Sequence, residues 1–531
     1  MREKIGFWEA VSIGIGGMIG GGIFAVLGLS VQLAKGSAPI AFLIAGIVAL
    51  FTAYSYAKLS LRFPSEGGTI EFLIKAYGTG LLAGGLNILL LVSYVVMIAL
   101  YSYAFGSYAA NALGTPILKS FLIAFVVIFF TVLNSLGAVV SGRAEDLLVA
   151  FKLAVLVIVA AAGLAFVNPE RLMPSNWADA VSIIAGGMII FLAYEGFELI
   201  ANAGGDVEHP KVLEKAFYVS VVVVIAVYVL IAIITVGTLP YEKIMEARDY
   251  ALAIAAEPAL GQLGFWFVTF AALASTSSAI NATLYGTARA SYMVAKFGEL
   301  PEFVGKKLWR QAYEGLVVIP ILSIILSITT NLETIATAGS GGFLLIFAAV
   351  NLAAVKLRRK VKVNPLISSA GAIMALAAFT ILALRMAEEN LYALAVMLSL
   401  IAASFLFEWT YRWYTGREIG RYVDRKLIER EKNLRNWEEW IPAVVDELRR
   451  RYSDSEVYLV GSLARGEAEK AGDVDLLVLT DAVENGEKEG ITRDIKKKLE
   501  LGPQHCLDLH FEKKSLRDEA LKRAVSYRRL K

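Results

Sequence analysis

Three groups of residues in this 531-residue chain have the types and spacings that do chemistry. The first is a glycine run: six of the nine residues from Gly14 to Gly22 are glycine, followed at once by Ile23 and Phe24. The second is a pair of carboxylates in apolar surroundings, Phe191-Leu192-Ala193-Tyr194-Glu195-Gly196-Phe197-Glu198, with Gly186-Gly187 before it and Gly204-Gly205 after. Lys152 adds a lone ammonium to another apolar run. The third is Asp473-Val474-Asp475 near the C-terminus, with Gly461-Ser462 upstream and Asp508 downstream.

Each group admits a plain use and a chemical one. A glycine inside a helix costs about 0.5–1 kcal/mol against alanine. Close helix packing is the plain use, since Gly16 and Gly20, and Gly17 and Gly21, have the small-xxx-small spacing. The chemical use is a broken helix, whose second half starts with free amide N–H groups aimed at an anionic ligand. Such a break is tolerated at membrane depth only where it lines a cavity or is buried in protein. A nucleotide-binding glycine loop is excluded, because that motif needs a strand before it and a soluble helix after it. Intramembrane carboxylates are costly and face a cavity or a partner, unless they bond neighbouring backbone structurally. Lys152 either snorkels to the interface or sits desolvated, where it can exchange a proton.

The elements that position these groups follow from composition. With 57% hydrophobic residues and a mean hydropathy of +0.61, the chain is a multi-spanning membrane protein. No charge interrupts residues 10–34, and 25 residues make about 38 Å of helix, more than the roughly 30 Å hydrocarbon core requires. Eleven further apolar runs, at about 38–61, 80–110, 116–137, 146–167, 179–203, 216–238, 258–288, 315–331, 333–355, 364–384 and 391–410, bring the expectation to twelve spans. That run is also far longer than a signal-peptide core, so no cleavable signal is expected. With both termini cytoplasmic, 18 Lys/Arg of the membrane region and its flanks fall inside and six outside. Interruptions in spans one and six are what an inverted repeat of five plus five spans produces, with the ligand site between the repeats.

The soluble part is equally visible. Residues 412–531 hold 26 of the 51 Lys/Arg and 24 of the 48 Asp/Glu. A net charge of +3 gives no electrostatic ground for a nucleic-acid partner. The single cysteine, Cys506, excludes an intrachain disulfide and suits a reducing cytosol. Residues 412–440 read as a charged helical linker, and Pro442 suits a new helix start. Strands at 456–460, 473–479 and 506–511, with a helix near 487–500, make a small α/β unit over 441–531.

Membrane-region motifs resemble those of the amino acid–polyamine–organocation permeases over about residues 1–411. They are Gly-Gly-Met-Ile-Gly-Gly-Gly-Ile-Phe, Phe63-Pro64-Ser65-Glu66-Gly67-Gly68, the carboxylate-bearing stretch of span six, and Ser278-Ala279-Ile280-Asn281 through Ala288-Arg289 to Gly298-Glu299-Leu300-Pro301. The chain departs from the family at Ile70, where tyrosine is usual, and at Gly205-Asp206, where paired acids are frequent. The resemblance implies an amino-acid substrate whose carboxylate lies on the amides of Gly20, Gly21 and Gly22, beside Ile19. It places the ammonium at carbonyls freed near Phe191 and Ala193, with Glu195 in the site and Tyr194 or Phe191 as a gate. Lys152 would then stand where sodium-coupled relatives bind their ion, which makes it a proton-coupling residue. Against this, the hydroxyls of Ser275, Thr276, Ser277 and Ser278 suit sodium, unless they bond the preceding turn. Exchange of one amino acid for another also stays open.

Asp473 and Asp475, two apart on a strand, share a face and suit Mg²⁺ with Asp508 alongside. Glu512 is the reserve for the third carboxylate, and the plain alternative is a solvated strand end. Gly461 and Ser462, at a strand-to-helix turn, can present donors to a triphosphate. Gly-Ser-Leu-Ala-Arg-Gly-Glu-Ala followed by Asp-Val-Asp resembles the minimal nucleotidyltransferases of the polymerase beta superfamily, over about 440–531. That resemblance implies Asp473, Asp475 and Asp508 as metal ligands and catalytic carboxylates, with Gly461, Ser462 and Arg465 on a nucleoside triphosphate. His505, Cys506 and His510 are read as ordinary strand residues. A cell-membrane amino-acid transporter with a cytoplasmic nucleotidyltransferase-like unit is therefore the leading expectation. A membrane-anchored nucleotidyltransferase leaves the glycine-broken spans without a purpose, and a nucleotide sensor regulating transport remains the alternative for the tail.

Overall fold

The structure is a computed structural model that describes residues 5–65, 67–78, 80–135, 142–204, 207, 209–296, 307–309, 312–313, 315–414, 436–464, 474–482, 488–499, 506–524 and 526–530. The chain divides into two compact units, Met1–Gly416 and Arg417–Lys531.

In the first unit α1 (Phe7–Met18) and α2 (Gly22–Ala34) are followed by α3 (Ala38–Arg62), α4 (Thr69–Tyr77), α5 (Leu81–Ala112), α6 (Lys119–Ser135) and α7 (Gly142–Gly163). Then come α8 (Ala180–Ile189), α9 (Leu199–Asn202), α10 (Pro210–Thr238), α11 (Tyr241–Glu246) and α12 (Ala251–Lys296). A small pair of strands, β1 (Lys307–Trp309) and β2 (Ala312–Tyr313), precedes α13 (Gly315–Thr329), α14 (Leu332–Lys356), α15 (Arg358–Val361), α16 (Pro365–Glu389) and α17 (Leu391–Tyr414). Among the described residues nine helices are long and apolar enough to cross a membrane. Two bent pairs, α1 with α2 and α8 with the segment Phe191–Asn202, add two broken spans, and Val318–Thr329 is a shorter apolar helix. α12 joins two helices across a kink at Gly261, whose φ is +60°, so a helical segment from Ala251 precedes the span expected from about 258. Pro258 lies just before that kink and removes a backbone donor from the helical ladder.

The centre of the unit is crowded rather than oily. α5 has 83% of its apolar window buried, whereas α6 has 17% and α17 has 22%, which places α5 inside and the other two at the rim. Hydroxyls and amides knit the inner helices: Ser55 donates to Asn351 at 2.6 Å, and Asn351 donates to Thr52 at 3.0 Å.

The second unit opens with α18 (Trp437–Arg451), which starts five residues before Pro442 and carries it inside. The expected helix start at Pro442 is therefore corrected; Ile441, Val444, Val445 and Leu448 continue one buried stripe through the proline, and that packing holds the helix across it. Residues 415–435, within the expected linker, lie outside the described residues. β3 (Glu456–Val460) runs into the short helix α19 (Gly461–Ala464), followed by β4 (Val474–Leu479), α20 (Lys488–Lys498), β5 (Leu507–Glu512), α21 (Arg517–Arg523) and β6 (Tyr527–Arg529). The sheet order is β5-β4-β3-β6, with β5 parallel to β4 and the other pairs antiparallel. The three expected strands and the helix near 487–500 are present; β6, a short exposed strand, carries no period-two signal in the sequence. Ile491 and Ile495 of α20 and the stripe of α18 cover one face of the sheet. Ala520 and Leu521 of α21 cover Tyr458, Leu477 and Leu479 on the other.

Candidate functional site

Both glycine-rich spans are broken. α1 ends at Met18, Ile19 and Gly20 close the last turn onto Ile15 and Gly17, and α2 starts afresh at Gly22 with a bend of 45°. The first N–H groups of a helix have no partner within it, so the amides that open α2 from Gly22 point into the break, where that of Ile23 meets the Tyr228 hydroxyl. α8 ends at Ile189, one turn of tighter 3₁₀ helix spans Phe191–Tyr194, and Glu195 is extended. Gly196 follows at φ +117°, a conformation that favours glycine, and the pair bends by 49°.

The glycines also bring the two breaks into contact, so close packing and breakage are one design. A Cβ on Gly196 would lie 2.3 Å from the carbonyl carbon of Gly17, and one on Gly22 would lie 2.5 Å from the Cα of Ala193. A Cβ on Gly21 would lie 2.4 Å from the ring of Tyr101 on α5. Ile19, Phe191, Ala193, Tyr194 and Glu195 are all buried at this junction, with Gly20, Gly21 and Gly22.

Side chains from four other helices hold the backbone that the breaks release. The Tyr228 hydroxyl on α10 lies 2.7 Å from the Met18 carbonyl oxygen and 3.0 Å from that of Ala193, so one residue bridges both broken spans. The Ser340 hydroxyl on α14 donates to the Ile189 carbonyl at 3.1 Å and accepts from the Leu192 N–H at 3.1 Å. Ser275 on α12 donates to the Ile19 carbonyl. Lys152 on α7 is buried and donates from Nζ to the Gly16 carbonyl at 2.9 Å, so it turns into the protein rather than snorkelling outward. Thr276 bonds back to Ala272 at 2.7 Å, the ordinary helical alternative for a buried hydroxyl. Tyr194 donates to the Phe42 carbonyl at 2.8 Å, and its ring lies 5.1 Å from that of Tyr228. Glu198 accepts the Gly196 N–H on Oε2 at 2.7 Å, the structural alternative that the sequence leaves open for either acid. Neither oxygen of Glu195 has a hydrogen-bond partner among the described residues.

Tyr228 and Ser340 were invisible to motif reading, because each is a common residue in an apolar run with no periodic or spacing signal. The Ala193 carbonyl, expected to face a ligand ammonium, lies 3.0 Å from the Tyr228 hydroxyl and competes for its single proton with the nearer Met18 carbonyl.

In the second unit β-sheet register assembles the polar cluster. Asp475 on β4 lies opposite Val460 on one side and Asp508 on the other. Gly461, at φ +80°, turns the chain so closely past the strand that a Cβ there would lie 2.6 Å from Asp475 Oδ2. His510 shares the outward face of β5 with Asp508, and its Nε2 lies 3.4 Å from Asp475 Oδ1 and 3.7 Å from Asp508 Oδ2. The hydrogen bond to Asp475 raises the His510 imidazole above its usual range. One ligand atom from each of Asp475, Asp508 and His510 falls within 4.8 Å of the others. His510, read as an ordinary strand residue, thus stands in the cluster; its signal is the i, i+2 spacing from Asp508. Glu512 continues the same face at the end of β5. Asp473, Arg465 and the side chain of Ser462 lie outside the described residues.

A family model described as amino acid permease matches residues 5–412. The chain belongs to the amino acid permease family. A nucleotidyltransferase domain model matches residues 441–531. The permease is 38% identical over 422 residues to the uncharacterized protein MJ0609 of Methanocaldococcus jannaschii, covering 78% of this chain and 97% of that one. It is 34% identical to the inner membrane transport protein YbaT of Escherichia coli, over 68% of this chain and 85% of that relative. It is 22% identical to the branched-chain amino acid permease BcaP of Bacillus subtilis, over 68% and 82%. A crystal structure of a mutant Eremococcus coleocola manganese transporter shares the fold with a TM-score of 0.52 at 12% identity, covering 77% of the permease and 97% of that chain.

Proposed function

We propose that the permease is a secondary active transporter that carries amino acids across the cell membrane on twelve spans arranged as a five-plus-five inverted repeat, with both termini in the cytoplasm. The observation that carries the reading is the meeting of two broken spans, Gly17 on Gly196 and Gly22 on Ala193, at a buried junction. Amides at the start of α2 offer a site for a carboxylate, near Ile19, Gly20, Gly21 and Gly22, and the opened segment from Phe191 to Glu195 offers the complementary acceptors. Proton coupling is supported by Lys152, whose ammonium rests on the Gly16 carbonyl one turn before the break. A cation seated there does what a bound sodium ion would do for the same carbonyl, and a lysine can shed its charge where sodium must leave. Sodium symport draws on Ser275, which faces the Ile19 carbonyl from α12.

The nucleotidyltransferase unit is proposed to act on the cytoplasmic side, either as a catalyst or as a nucleotide-binding regulator. Asp475 and Asp508, with Asp473 two residues before Asp475 in sequence, supply the carboxylate oxygens that Mg²⁺ prefers, and His510 adds a nitrogen that suits a first-row transition ion better. The clustered donor atoms fit a divalent cation. When bound, such an ion orients the phosphates of a nucleoside triphosphate and offsets charge developing at the attacked phosphorus. Asp475 and Asp508 would hold it, while Gly461, Ser462 and Arg465 would meet the triphosphate.

Proteoliposomes carrying the full chain, screened over labelled amino acids with pH and sodium gradients imposed separately, test the transport reading. Accumulation driven by an inward proton gradient is expected. Uptake that follows only sodium transfers the coupling to the Ser275 side, uptake that needs only internal amino acid makes the permease an exchanger, and no uptake of any amino acid refutes the proposal. Labelled ATP and Mg²⁺ offered to the same protein distinguish nucleotidyl transfer from binding alone.

A further inference from the structure

The polar cluster on the sheet of the second unit contains one group that paired carboxylates do not call for. His510 stands in register with Leu477, an apolar partner, yet its imidazole reaches diagonally to Asp475 and also meets Asp508. Its Nε2 lies 3.4 Å from one oxygen of Asp475 and 3.7 Å from one of Asp508. Both separations exceed the span of about 2.7–3.2 Å for a close N–H···O hydrogen bond. An ion that holds nitrogen and oxygen ligands at about 2.0–2.2 Å separates neighbouring ligand atoms by about 3–3.6 Å, so these atoms stand at nearly the spacing of one coordination shell. Among the described residues Glu512, next along the same face, does not join the group. All three side chains are partly open to solvent, which leaves the other positions of such a shell to water and phosphate oxygens.

We infer that His510 is itself a metal ligand, and that its imidazole makes the nucleotidyltransferase unit prefer a first-row transition ion to Mg²⁺. This rests on the metal-dependent reading of the unit above. Two carboxylates alone suit Mg²⁺, which is usually held by one or two of them together with substrate phosphates and waters. An imidazole adds little for that hard ion. For transition ions a nitrogen donor adds affinity, which rises from Mn²⁺ through Fe²⁺ and Co²⁺ to Ni²⁺. Asp475 and Asp508 therefore admit either class of ion, and His510 is the group that separates them.

The test uses the full chain, purified in detergent without a histidine tag and loaded with one equivalent of Mn²⁺. Pulsed electron paramagnetic resonance is expected to show the nitrogen coupling of a directly bound imidazole in wild type and to lose it in His510→Gln. The chain has three histidines, so His209→Gln with His505→Gln leaves His510 alone, and that variant is expected to keep the coupling. In displacement of the bound Mn²⁺, Mg²⁺ is expected to need a concentration at least about 100-fold above that of Co²⁺, and His510→Gln to narrow this ratio by about tenfold or more. Bound Mn²⁺ that weakens in Asp475→Asn but shows no imidazole coupling in wild type overturns the assignment of His510 and leaves the metal-dependent reading intact. An unchanged ratio in His510→Gln does the same. A wild type that binds no Mn²⁺ overturns both. If His510→Gln yields no folded protein, the coupling in the variant whose one histidine is His510 decides: its presence supports the inference, and its absence refutes it.

Discussion

Tyr228→Phe isolates the contact that joins the two broken spans. The hydroxyl lies 2.7 Å from the Met18 oxygen and 3.0 Å from the Ala193 oxygen, while its ring packs against Phe42 and Tyr194 at centroid distances of 5.9 and 5.1 Å. Phenylalanine keeps the ring and so opens no cavity. The loss is one net hydrogen bond, about 0.5–1.5 kcal/mol, plus part of the roughly 1–3 kcal/mol for a buried carbonyl left without a donor. Interhelical bonds inside membranes average about 0.6 kcal/mol with a maximum near 1.7, which limits the sum to about 0.6–1.7 kcal/mol. Acting on the arrangement in which both carbonyls converge, that energy shifts its population against an opened state by about 3- to 18-fold. The assay is thermal unfolding in detergent together with initial uptake rates in vesicles: a lower melting temperature and a reduced rate are expected. The reasoning fails if Tyr228→Phe matches wild type in both. It fails equally if Tyr228→Phe loses as much stability as Tyr228→Ala, because the large-to-small cost of about 3–5 kcal/mol belongs to the ring and not to the hydroxyl.

Gly21→Leu, whose Cβ would meet the Tyr101 ring at 2.4 Å, is expected to abolish uptake while the protein still inserts and accumulates normally on immunoblots. Lys152→Met removes the ammonium from the Gly16 carbonyl and should uncouple uptake from an imposed pH gradient; substrate-linked proton flux persisting in the variant would contradict the role. Asp475→Asn should lower Mn²⁺ affinity of the C-terminal unit by at least about tenfold, read by the ion's magnetic resonance signal, and unchanged binding would remove Asp475 from the metal site. Glu456 is held below the usual carboxylate range by the Tyr458 hydroxyl and by Arg517 and Arg529. Its contribution to the stability of the second unit is full above about pH 4.5 and is lost as pH falls through the depressed value, so Glu456→Gln should flatten the acid limb of the unfolding curve.

Much of the membrane unit was legible because the bilayer imposes length and apolarity on every span, and those are properties of a linear string. The glycine run and the Glu195–Glu198 stretch announced two weak points for the same reason, since glycine and charge are costly there whatever surrounds them. The C-terminal unit was legible in its strands, where buried runs of valine and leucine alternate with turns. His510 read as an ordinary strand residue, although it stands two residues from Asp508, because a histidine on an exposed strand face has many uses and only the parallel pairing with β4 brings Asp475 beside it.

What residue order alone determined is therefore where the backbone must open and which chemical groups travel with the openings. The tertiary structure decided which of those groups are already spoken for. Tyr228, Ser340, Ser275 and Lys152 come from helices far away in sequence, and no local pattern predicts that their donors reach the carbonyls of the breaks. Hydrogen-bond satisfaction is a property of the whole packed interior, and only there does Glu195 emerge as the buried acid whose two oxygens the described residues leave unmet.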